Sequence, residues 1–78
     1  MKDALGNELI IGNRYGYASR TGAWVNTAAG ILESIGESKA TIAITERHTF
    51  IYGKESDKPR ISERTASVKG YMLFPLKD

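Results

Sequence analysis

"GILESIGESKATIAIT", residues 30–45, decides the fold. In its second half Ala40, Ile42 and Ile44 fall on one side, and Lys39, Thr41, Ala43 and Thr45 on the other. A period of two is that of a strand with one buried face. The isoleucines and threonines favour strand over helix as well, because β-branched side chains pack well on a pleated surface. In the first half Leu32 and Ile35 are the apolar pair expected to point inward. Their spacing of three predicts a bulge. "GESK", residues 36–39, is a turn, so the stretch reads as a hairpin.

The flanking sequence extends the same pattern. "ELIIGNRYGYA", residues 8–18, is a strand preceded by a Gly6-Asn7 turn and interrupted at Gly12-Asn13. Tyr15 and Tyr17 share one of its faces. "SRTGAWVNTAAG", residues 19–30, is small and polar apart from Trp24-Val25. It predicts a long first loop whose far arm rejoins the sheet near Ala28. Downstream, "HTFIYG" is strand-like and "KESDKPR" is a charged loop. Thr65 and Val68 mark another strand, Gly70-Tyr71 a sharp turn of 3₁₀ type, and Met72–Phe74 a last strand ended by Pro75.

Helices are excluded by glycine placement. The eight glycines leave one window free of them with an apolar pattern, residues 37–52, and there the period is two. Short strands with a turn signal every ~8–12 residues predict an all-β, five-stranded small barrel. Tyr17, Leu32, Ile35, Ile42, Ile44, Val68 and Phe74 are the expected core.

At 78 residues the chain makes one small domain without cysteine, so no disulfide supports it. A chain of this length buries only about 60–65% of the surface its unfolded form exposes, and every large apolar side chain matters. No signal peptide opens the sequence and no apolar run is long enough for a membrane span, which leads to an expectation of a soluble, cytoplasmic protein.

Two short patterns resemble known barrels. In "IIGNRYGYA", Ile10, Gly12, Asn13, Tyr15 and Tyr17 stand where SH3-like barrels carry the conserved positions of their opening strand. In "GILESI", Gly30, Leu32 and Ile35 are similar to the strand that follows the long first loop of KOW-type barrels. The set Asp3, Gly6, Asn7, Ile10, Gly12 and Tyr17 resembles the start of small proteins of tailed bacteriophages. The resemblance implies an SH3-like barrel and a small accessory protein at work in the host cytoplasm. Asn13 replaces the usual acid. The aromatic and acidic motifs with which SH3 domains bind proline-rich peptides are absent. A fold shared by many functions selects none of them.

Chemistry is sparse. The single histidine, His48, lies in no catalytic motif, and one histidine cannot build a multi-histidine metal site. The glycines match no phosphate-binding loop. The expectation is a non-catalytic protein without cofactor or metal. Arg20, Trp24 and Asn26 are the candidate partner contacts, since arginine and tryptophan dominate protein interfaces. The competing reading makes Trp24 a lid over one end of the barrel. Arg47, Lys54, Lys58, Arg60 and Arg64 are a candidate nucleic-acid stripe, interrupted by Glu55, Asp57 and Glu63. Eleven basic against nine acidic residues give a net charge of only +2, which ranks a protein partner above nucleic acid. An oligomeric structural component of a virion is a third possibility.

Overall fold

The computed structural model describes residues 1–56 and 64–76. The strands are β1 (Arg14–Thr21), β2 (Trp24–Ile35), β3 (Ala40–Ile51), β4 (Lys54–Glu55), β5 (Thr65–Val68) and β6 (Phe74–Pro75), with one 3₁₀ turn at Gly70–Met72. They form a single antiparallel sheet in the order β4-β3-β2-β1-β6, with β5 also paired to β3. The sheet curls into a half-barrel, as expected for a small all-β barrel. A straight strand of twelve residues spans about 36 Å. The molecule extends 33 × 23 × 19 Å, so each twelve-residue strand runs nearly its whole length.

Two irregularities in the β2–β3 pairing help that curvature. The register shifts between Ala29 and Gly30 and again between Leu32 and Ser34, the second being the bulge expected from the Leu32–Ile35 spacing. The first requires a glycine: a Cβ on Gly30 would lie 1.9 Å from the Ala43 carbonyl oxygen. The Gly36–Lys39 turn closes the hairpin with a Gly36 N–H bond to the Lys39 carbonyl at 2.8 Å.

The core follows the alternation of β3. Ala40 and Ile42 are fully buried and pack with Leu9, Tyr15, Leu32, Ala66 and Leu73. The N-terminal segment closes one end. Asp3 Oδ1 accepts the N–H groups of Leu5 and Asn7, and the turn it holds delivers Leu9 into the core. Tyr15 is buried with its hydroxyl accepting the Ile10 N–H at 3.0 Å.

Several expectations are corrected. Six strands form where five were expected: the strand-like "HTFIYG" continues β3 as far as Ile51, the expected last strand is β6, and β4 is a two-residue piece too short to carry a sequence pattern. The long first loop is replaced by a tight hairpin: Ser19 pairs with Asn26, Arg20 with Val25 and Thr21 with Trp24, leaving Gly22-Ala23 as the turn. Gly22 supplies the positive φ, +59°, that such a turn needs at its first position. Small and polar residues suit this ribbon because it extends beyond the main core cluster.

Among expected core residues, Leu32 and Ile42 are buried, while Tyr17, Ile44 and Val68 pack against the core half-buried. Ile35 and Phe74 are exposed. Ile35 sits at the exposed end of β2 beside the Gly36–Lys39 turn, paired with Ala40, and Phe74 lies on a β6 edge strand whose pairing with Gly16 turns its side chain outward. Leu9, Tyr15 and Leu73 take the buried places instead. Among the described residues no helix is long and apolar enough to cross a membrane.

Candidate functional site

The strand register divides the sheet into two faces. Arg14, Gly16, Ala18 and Arg20 of β1 share the outer one with Val25, Thr27 and Ala29 of β2 and Glu46, His48 and Phe50 of β3. Two cross-strand rows on this face are unusually small. Gly16 lies beside Ala29 and then Glu46; Ala18 lies beside Thr27 and then His48. The result is a groove of about 290 Å³ with an apolar floor. Glu46 and His48 wall it on the β3 side, Phe74 and Leu76 on the β6 side. Leu76 leans over the floor: a Cβ on Gly16 would lie 3.2 Å from its Cδ1.

The polar wall is held by pairs. Arg14 approaches Glu46 at 3.7 Å, and His48 Nδ1 bonds Glu55 Oε1 across the β3–β4 hairpin at 2.5 Å. His48 stands in the interior of β3 and is exposed. Its ring lies 6.4 Å from that of Phe50. Among the described residues no three metal-ligating side chains converge.

The residues proposed as partner contacts do not form one patch. Arg20 is paired with Val25, whereas Trp24 and Asn26 alternate with Val25 and face the opposite side of the ribbon. Arg20 Nε donates to the Gly22 carbonyl at 2.9 Å, bracing the hairpin turn. Trp24 is half-buried, beside Ile51 of β3. Asn26 is half-buried too, and its Oδ1 accepts the hydroxyl of Thr49 at 2.7 Å. The tip of this hairpin meets the next one, where the Tyr52 N–H bonds the Ala23 carbonyl at 3.3 Å.

The basic candidates are spread along β3. Arg47 lies within the strand opposite Ala28, Lys54 is paired with Ile51, and the Arg64 carbonyl accepts the Ile44 N–H. The places beside Ile44 and Ile51 are about 23 Å apart along a strand. Glu55, next to Lys54, holds His48. Lys58 and Arg60 lie outside the described residues.

The groove escaped the sequence reading. Its signal was a run of the smallest residues at alternate positions, Gly16 and Ala18 in one strand, Thr27 and Ala29 in the next. That signal becomes visible only once residues 19–29 are recognised as strand. Comparison with family models, curated proteins and solved structures finds no match to this chain.

Proposed function

We propose that the protein is a non-catalytic binding module that docks another protein at the outer-face groove. One observation carries this: a concave apolar floor of Gly16, Ala18, Thr27 and Ala29 with two exposed apolar side chains, Phe74 and Leu76, at its rim. Exposed apolar concavities rimmed by polar groups mark binding surfaces. The paired Arg14–Glu46 and His48–Glu55 provide the polar rim that protein interfaces use. The likeness to small proteins of tailed phages supports an accessory role, with a host or phage protein as the partner.

A nucleic-acid reading ranks second. It rests on Arg47, Lys54 and Arg64 along β3, where Glu46 and Glu55 are interspersed.

Affinity capture from bacterial lysate with and without nuclease, using wild type and Ala18→Arg, tests the proposal. Ala18 is exposed, so the variant fills the groove while sparing the core. A nuclease-resistant protein retained by wild type and lost by the variant is the expected result. Retention that nuclease abolishes, or that Ala18→Arg leaves intact, overturns it.

A further inference from the structure

Among the described residues, the groove lies beside a sheet edge that is paired over only part of its length. On the side of β1 away from β2, β6 pairs only with Tyr15 and Gly16, and the Leu76 N–H bonds the Arg14 carbonyl at 3.0 Å. Backbone groups of alternate residues on a strand point to the same edge. Those of Ala18 and Arg20 therefore point the same way as those of Arg14. Among the described residues no strand pairs with this edge beyond Gly16. Ala18, Ser19 and Arg20 are all exposed. An unpaired edge of this kind is a template for another strand.

We infer that the docked partner enters as an extended strand antiparallel to β1, in line with β6, and that it carries an acid-x-apolar sequence. The inference rests on the groove being the protein-binding site. Its side-chain pattern follows from register. Phe74, opposite Gly16, turns its side chain to the outer face, so a residue opposite Ala18 does the same. That residue lies over the small row of Ala18 and Thr27 and fills the groove. The next outward residue lies opposite Arg20 and, in an antiparallel strand, comes two positions earlier in the partner's sequence.

Charge selects what stands there. The charged residues of β1 are Arg14 and Arg20, and the strand has no acid. Arg14 has Glu46 beside it, whereas Arg20 is seen bonding through Nε to a backbone carbonyl. An acidic side chain opposite Arg20 makes a favourable cross-strand pair. A second copy of this chain fits worse: antiparallel pairing of two β1 edges in this phase sets Arg20 opposite Ala18, and so brings an arginine to each groove and the two arginines into diagonal contact.

The probe is a capped, threonine-rich octapeptide with Glu-Thr-Leu at its centre, titrated into ¹⁵N-labelled full-length protein. The expected result is shifts and slowed hydrogen exchange at the Ala18 and Arg20 amides together with shifts at Thr27 and Ala29. Replacing the peptide's glutamate by lysine, or N-methylating its leucine, is expected to weaken binding by about tenfold or more, as a lost charged pair or backbone bond of about 1.4 kcal/mol implies. Arg20→Glu is expected to prefer the lysine peptide. Shifts at Thr27 and Ala29 with unchanged Ala18 and Arg20 amides, and indifference to N-methylation, would overturn strand addition while the groove remains a binding site. No shift at millimolar peptide would overturn strand addition and count against the groove as well. Protection of these amides that rises with protein concentration alone would assign the edge to a second copy instead.

Discussion

The hydroxyl of Thr49, on a side chain with no solvent exposure, donates to Asn26 Oδ1 at 2.7 Å across the β2–β3 pair. This bond ties the first hairpin, beyond the main core, to the long central strand. It gives Asn26 a structural task beside any role in partner contact.

Asn26→Ala is expected to destabilise the protein by about 1–3 kcal/mol, because it takes an acceptor from a buried hydroxyl. Thr49→Val should restore part of the loss in the Asn26→Ala background. Thermal or urea melts of the two single variants and the double variant measure the coupling. Additive losses would show that the bond contributes nothing specific.

Gly30→Ala is expected to cost more than about 3 kcal/mol, beyond ordinary overpacking, and to leave little folded protein. The obstacle is backbone: the new Cβ would meet the Ala43 carbonyl carbon at 2.6 Å as well as its oxygen. Circular dichroism during denaturant titration checks this. A variant as stable as wild type would show that the bulge sits elsewhere.

Tyr52→Asn is expected to stabilise by about 0.5–1 kcal/mol. Tyr52 and Gly53 turn the β3–β4 hairpin with φ of 51° and 81°, both in the left-handed region. Asn-Gly is the favoured pair for that geometry, and tyrosine there is strained. The side chain is 86% exposed, so little packing is lost. The melting temperature of the variant gives the answer; a fall would mean the tyrosine is held by a contact that outweighs the strain.

Trp24→Ala is expected to cost about 1–3 kcal/mol, less than the ~3–5 typical of a fully buried aromatic, since Trp24 is half-buried at the start of β2. A loss near zero would describe a purely exposed contact residue, and a loss above about 4 kcal/mol a lid over the core.

The parts of the fold legible in the sequence are those where one face is buried and the other is not. The Ala40-Ile42-Ile44 alternation, the Gly36–Lys39 turn, the bulge after Leu32 and the 3₁₀ turn at Gly70 all stand as read. Residues 19–29 misled because strand assignment relies on large apolar side chains. Here the outer face carries Ala18, Thr27 and Ala29, and the turn is only two residues, Gly22-Ala23, with a single glycine as its signal. Phe74 misled for the opposite reason: a large apolar residue was taken as core, yet the pairing with Gly16 sends it outward. Both misreadings fall on the groove, where small residues form the floor and large ones the rim. Arg20 and Trp24 looked like one site because they are close in sequence; a two-residue turn places them on opposite faces.

Photo-crosslinking tests the docking surface most directly. p-Benzoylphenylalanine adds a benzoyl group to the ring, which exposed positions accommodate; it is placed at Phe74, on the groove rim, and at Tyr52, on the distal turn, which are 53% and 86% exposed. With the retained protein partner bound, irradiation is expected to give a covalent adduct from position 74 and none from position 52. An adduct from position 52 with silence at position 74, while the partner stays bound, would contradict the assignment of the groove as the binding site.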